Sequence, residues 1–218
     1  ILRNLISFWH YKALSKRFLA FSEMREKYLK MTKRCTTTEE ALKIAGNYDL
    51  VIAGSDQIWN TTARDFSEAF FLPGISKKST YAVSCGSHLN EVDCDRICSA
   101  MEAFKNVSVR EIDTREFLEK HTKRSIETVL DPTFLLTKED YSGLYDKERI
   151  LKEKYIFLYT INYDEDALKQ TVRVAERWGC KIVTPFTGYS AIKAKKYGIK
   201  VMWDVAPDAF LNLIENAE

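Results

Sequence analysis

The chain has 218 residues, 33 of them basic and 31 acidic, for a net charge of +2, so no global field selects nucleic acid or a membrane as partner. With 45% hydrophobic and 29% charged residues it reads as an ordinary soluble globular protein, long enough for one large domain or one and a half average ones. No run of eighteen apolar residues reads as a membrane span, no signal peptide is evident, and five irregularly spaced cysteines point to a reducing, cytoplasmic setting rather than a disulfide framework.

Residues 1–34 contain neither glycine nor proline and step helically. Leu14, Phe18, Phe21 and Tyr28 lie near one face, and Lys16, Arg17, Arg25, Lys27 and Lys30 take the other. Phe8, Trp9, Tyr11 and Lys12 make the first part aromatic and basic. The ordinary reading is a helix packed on its own domain with His10 as a bystander, and the alternative is peripheral contact with a membrane. Thr37 with Glu40 then fits a capping box that opens a helix ending near Gly46-Asn47.

Leu50-Val51-Ile52-Ala53 is a short apolar run that reads as a strand buried on both faces, as in a parallel sheet covered by helices. Gly54-Ser55-Asp56-Gln57 follows it directly. In open α/β sheets ligands sit outside the carboxyl ends of the strands. The tetrapeptide is therefore either a ligand loop or an ordinary turn in which Ser55 or Asp56 caps a helix. A loop with Phe66, Phe70 and Phe71 leads to a second strand, Ser79 to Val83, which ends in Ser84-Cys85-Gly86-Ser87-His88. Ser84 or Cys85 with His88 is a weak nucleophile–base pair, because no orienting acid is evident. Cys94 and Cys98 share the face of a helix running from about Cys94 to Phe104, with Ile97, Met101 and Phe104 inward, and lack a full zinc ligand set.

Val107 and Val109 alternate with small polar residues in a third strand that delivers Arg110 and Glu111 at its end. Arg110 reads either as an anion clamp, through its planar fork, or as a rim partner of Glu111 or Asp113. A fourth strand begins at Thr128 and ends in the Asp131-Pro132-Thr133 turn, and Thr137 caps the next helix. After the charged stretch 149–154 the pattern restarts with a strand (Tyr155 to Thr160), a helix (Asp164 to Trp178) and a strand (Cys180 to Thr184). Basic residues 190–197 and a last helix from Asp208 to Ala217 follow. The expected division is a helical lead-in over 1–35, a Rossmann-like parallel-sheet domain over 36–152, and the beginning of a second such domain over 153–218.

Four motifs occur in order: Asp49 to Asn60 (strand, then Gly-Ser-Asp-Gln-x-Trp-Asn), Tyr-Ala-x-Ser-x-Gly at 81–86, Ser-Val-Arg-Glu at 108–111, and Leu-Asp-Pro-Thr at 130–133. Together they resemble the polysaccharide pyruvyl transferase family, from about residue 36 to the end. The resemblance implies an α/β fold of two Rossmann-like domains in a GT-B-type architecture. It also implies transfer of a pyruvyl group from phosphoenolpyruvate onto a pair of sugar hydroxyls, as a ketal, on a cell-surface polysaccharide or a sugar or lipid-linked glycan precursor. Family members usually begin with a strand and an Asn-x-Gly loop and carry a Ser-Phe-His-Gly motif. Neither is found here, so the chain, which opens at Ile1, reads as a fragment that would be inactive alone.

By that resemblance Arg110 is the donor's anion clamp, and Glu111 either orients it or shuttles a proton. Gly54, Ser55, Asp56, Gln57, Asn60, Ser84 and Gly86 would contact substrate, and Trp59 would offer a face to a sugar ring. No cofactor, metal or nucleic acid is expected. The rival readings are a glycosyltransferase using a nucleotide sugar, and an inactive glycan-binding or scaffold subunit.

Overall fold

The computed structural model describes residues 8–86 and 91–218. By proximity of Cα atoms they group into two compact units. One holds Thr32–Leu136, and the other joins the described part of Ile1–Met31 to Thr137–Glu218. Residues 137–152, placed by sequence with the first domain, group with the later strands. The units are described separately.

In Thr32–Leu136 the strands are β1 (Val51–Ala53), β2 (Lys78–Thr80), β3 (Ser108–Val109) and β4 (Glu127–Thr128). β1 pairs β2 in parallel, with Val51 opposite Lys78, and β3 pairs β4 in parallel, with Ser108 opposite Glu127. A parallel bridge between Val83 and Val109 joins the pairs. Between β2 and β3 side chains take over part of the ladder. Thr80 Oγ1 donates to the Ser108 carbonyl at 2.9 Å, and Ser108 Oγ donates to the Thr80 carbonyl at 3.1 Å. The expected strand over 79–83 therefore breaks after Thr80, and Ala82 turns to φ 51°.

Helices α1 (Tyr11–Tyr28), α2 (Thr38–Ala45), α3 (Glu91–Met101) and α4 (Ile112–Leu118) precede or connect these strands, α1 belonging to the other unit. Thr37 caps α2 by accepting from the Glu40 N–H at 3.2 Å. Glu40 reaches back one residue further than a capping box requires, to the Thr36 N–H at 2.8 Å. α3 points Ile97 and Met101 into a core that also holds Phe104, Val83, Val109 and Leu118. Lys78 is buried there, its ammonium satisfied by the carbonyls of Phe71 and Leu72 at 2.9 and 2.7 Å. β1 corrects one expectation. Its burial alternates, with Ala53 inside while Leu50 and Ile52 stay half exposed, because successive strand side chains point to opposite faces.

The other unit is built on three parallel strands, β5 (Tyr155–Phe157), β6 (Lys181–Pro185) and β7 (Lys200–Met202), in the order β5-β6-β7. It also contains α5 (Lys138–Ser142), α6 (Glu165–Trp178) and α7 (Pro207–Glu215). Asp164 caps α6 by accepting from the N–H groups of Asp166 and Ala167, and Gly179 ends it at φ 64°. Tyr155 is buried and donates its hydroxyl to the Leu213 carbonyl at 2.9 Å. β7 is an addition to the sequence reading: it is three residues long, only Val201 in it is buried, and it follows the lysine-rich stretch that ends at Gly198. On α1 the inward side carries His10, Leu14 and Arg17, not Phe18, which is exposed. Arg17, expected on the solvent side, donates to the Phe186 carbonyl.

Candidate functional site

Parallel pairing sends the segments that follow β1, β2, β3 and β4 to one edge. Backbone hydrogen bonds tie the first three together. Ser84 N–H donates to the Asp56 carbonyl at 2.9 Å, Trp59 N–H to the Ser84 carbonyl at 3.1 Å, and Arg110 N–H to the Val83 carbonyl at 3.2 Å. Gly54 permits the first turn. It sits at φ 133°, and a Cβ there would overlap the carbonyl oxygen of Tyr81.

Arg110 lies at the centre, with its side chain about a quarter exposed. Its Nε donates to Glu111 Oε1 at 2.9 Å, and its Nη1 donates to Asp131 Oδ2 at 2.8 Å. Nη2 stands 3.9 Å from Asp56 Oδ1, which is beyond hydrogen-bond reach. Of the two sequence readings, the pairing with Glu111 is present, and Asp131 adds a second carboxylate. One edge of the Arg110 fork remains uncommitted to any carboxylate hydrogen bond. These bonds also raise its pKa, that from Glu111 foremost.

Asp131 organises the cluster, and reasoning from the sequence passed over it. Its Oδ1 accepts from the backbone N–H and hydroxyl of Thr133 at 3.0 and 2.8 Å. Its Oδ2 accepts from Arg110 and from Ser55 Oγ, the latter at 2.9 Å. The Thr133 N–H, the Thr133 hydroxyl, Arg110 and Ser55 all favour the ionised form and hold this carboxyl well below the usual carboxylate range. The available signal was the Leu-Asp-Pro-Thr motif, in which an Asp before Pro-Thr closes its own turn. Ser55 Oγ also lies 3.1 Å from the Ala82 carbonyl, so its one proton serves two acceptors. Glu111 Oε2 is buried without a hydrogen-bond partner.

The remaining expected residues separate. Asn60 Nδ2 donates to Gln57 Oε1 at 3.1 Å, and Asn60 Oδ1 accepts from the Thr62 N–H and hydroxyl at 3.2 and 2.7 Å. Gly86 sits against the Asn60 side chain at φ 78°. Ser55 and Asp56 cap no helix, because only turns follow them. Trp59 corrects the sequence reading. It is fully buried between Phe71 and Phe104, at ring distances of 5.8 and 5.6 Å, and presents no face to a sugar. Ser84 is likewise buried, and its hydroxyl accepts from the Gly86 N–H at 3.2 Å.

Cys85 is buried and its thiol pKa is pushed up by that burial, which disfavours a thiolate. His88 lies outside the described residues. Cys94 and Cys98 Sγ atoms are 3.8 Å apart inside the core, and no disulfide joins any of the five cysteines. Among the described residues no helix is long and apolar enough to cross a membrane.

The fold is thus α/β with small parallel sheets, and one sheet edge gathers an arginine, a serine and three carboxylates. The family model for polysaccharide pyruvyl transferase matches residues 2–218, and the chain belongs to that family. Membership implies polysaccharide pyruvyl transferase activity in general terms. Neither curated proteins nor solved structures give a match.

Proposed function

We propose that the protein transfers the pyruvyl group of phosphoenolpyruvate to two hydroxyls of a sugar or lipid-linked glycan, forming a cyclic ketal. The observation that carries this reading is Arg110, held at a strand end with part of its fork uncommitted and a carboxylate on either side. A guanidinium so placed suits a carboxylate or phosphate oxygen. A GT-B-type architecture of two Rossmann-like domains belongs to the same reading. So does a cytoplasmic location, supported by five cysteines that form no disulfide.

The chemistry assigns the roles. A proton adds to the methylene carbon of the donor, C2 becomes cationic, and the first sugar hydroxyl attacks it. The second hydroxyl then forms the other C–O bond as the C–O bond to phosphate breaks. The acceptor loses two protons, one balanced by the new methyl group and the other released with phosphate. Arg110 would stabilise charge on the donor and on the departing phosphate.

Protonation of the donor's methylene carbon needs a group that can relay a proton close to Arg110. Glu111 is suited to that part. One oxygen is already held by Arg110, and the other is buried with no bond to lose. From that position Glu111 would orient Arg110 or relay the proton that reaches C3. Asp131, fixed by four hydrogen bonds, stays ionised and positions Arg110.

The test uses the intact protein with phosphoenolpyruvate labelled at C2 with ¹³C and a panel of glycan acceptors. A ketal carbon signal with stoichiometric phosphate release is the expected result. Consumption of a nucleotide sugar, with phosphoenolpyruvate left intact, would assign glycosyl transfer instead.

A further inference from the structure

Helix α1 is held against the β5–β6–β7 unit along one side. His10 stacks on Trp203 with ring centroids 3.6 Å apart, Leu14 packs against the core cluster that includes Trp203, and Arg17 donates to the Phe186 carbonyl. Residues 10, 14 and 17 share one helix face. Their contacts fix the rotation of α1 about its own axis and therefore fix which side chains it presents outward.

That outer surface is unusual for water. Phe8 and Trp9, which lie just before α1, are 78% and 80% exposed; on α1 itself Tyr11 is 68%, Phe18 67% and Leu19 57% exposed, and no residue of α1 is buried. Single exposed apolar residues need no explanation, but five within twelve positions form a patch. Between them Lys12 and Lys16 are exposed. Residues 8–19 carry Lys12, Lys16 and Arg17 and no acid, the first acid being Glu23.

We infer that the outer face of α1, together with Phe8 and Trp9 just before it, docks on a bilayer surface bearing anionic headgroups. Aromatic side chains settle at headgroup depth, where their rings are apolar and their edges wet, while flanking lysines meet lipid phosphates. The contact is peripheral, since no described helix is long and apolar enough to cross. A second copy of this chain fits the face less well. A two-fold contact through it would bring Lys12 and Lys16 of both copies into one seam, where residues 8–19 supply no acid. The docked helix would hold the protein beside an acceptor carried on a lipid, yet the inference stands independently of Arg110 and the donor.

Co-sedimentation of the intact protein with vesicles tests it. Vesicles of phosphatidylcholine with about a third phosphatidylglycerol should pellet the protein, and pure phosphatidylcholine should not. Raising salt from ~0.05 to ~0.5 M should weaken binding several-fold. The triple variant Phe8→Ser, Trp9→Ser, Phe18→Ser should bind roughly tenfold less, as should Lys12→Glu with Lys16→Glu. Both should keep the wild-type melting profile, because these side chains are exposed. Wild-type protein left in the supernatant with anionic vesicles overturns the inference. Equal binding by wild type and both variants does so too. A wild-type dimer that the triple variant converts to monomer, without vesicle binding, would reassign the face to self-association.

Discussion

The Nη1 atom of Arg110 donates to Oδ2 of Asp131 at 2.8 Å, linking the segment after β3 to the segment after β4 across 21 positions of sequence. The same Oδ2 accepts from Ser55 Oγ, so one carboxylate joins three strand ends. Removing its charge should loosen all three together.

The pH dependence of stability should report this. Native Asp131 is held below the usual carboxylate value of about 3.9, so at mildly acidic pH the unfolded chain binds its proton first. The stabilisation is therefore complete above that value and lost as pH falls towards the native one. Urea midpoints for wild type and Asp131→Asn should differ most near neutral pH and converge below about pH 4. A gap independent of pH would mean that the Asp131 charge does not contribute.

Trp59 should behave as a core residue. Trp59→Ala should cost about 3–5 kcal/mol in denaturant titration, the usual range for truncating a buried aromatic. Trp59→Phe keeps most of the packing and should leave acceptor affinity unchanged. Loss of acceptor affinity in a stably folded Trp59→Phe protein would restore the sugar-stacking role.

The two loop glycines should differ in tolerance. A Cβ on Gly54 meets backbone, the Tyr81 carbonyl, whereas a Cβ on Gly86 meets the Asn60 side-chain amide at 2.7 Å, which can rotate away. Both carry positive φ, so each alanine costs about 1 kcal/mol or more in strain. Gly54→Ala should be clearly the more destabilising, and the reverse order in thermal melts would contradict the described turn.

Much of this was legible in the sequence because short apolar runs ending in Gly/Ser loops mark parallel strands. The starts near Val51, Ser108 and Tyr155, and the inward Ile97 and Met101, follow from periodicity alone. Long-range polar bonds do not. Nothing local tells that Thr80 and Ser108 exchange side-chain bonds, or that Asp131 reaches Arg110 and Ser55. The burial of Trp59 is not legible locally, because an aromatic in a polar loop reads alike whether it turns outward or into the core. The stacking of His10 is equally invisible in the sequence, because its partner, Trp203, is remote along the chain.

The central claim, that Arg110 holds the donor, is tested most directly by titrating phosphoenolpyruvate into the intact wild-type protein and its Arg110→Lys variant by calorimetry, with a thermal melt of each. Lysine keeps the charge but loses the planar fork that reaches Glu111 and Asp131 at once and would have an edge left for a donor oxygen. The account predicts donor affinity weakened by about 1–3 kcal/mol in a protein that still folds, with acceptor affinity little changed. Unchanged donor affinity in a normally folded Arg110→Lys protein would contradict it and leave Arg110 as a partner of Glu111 and Asp131 alone.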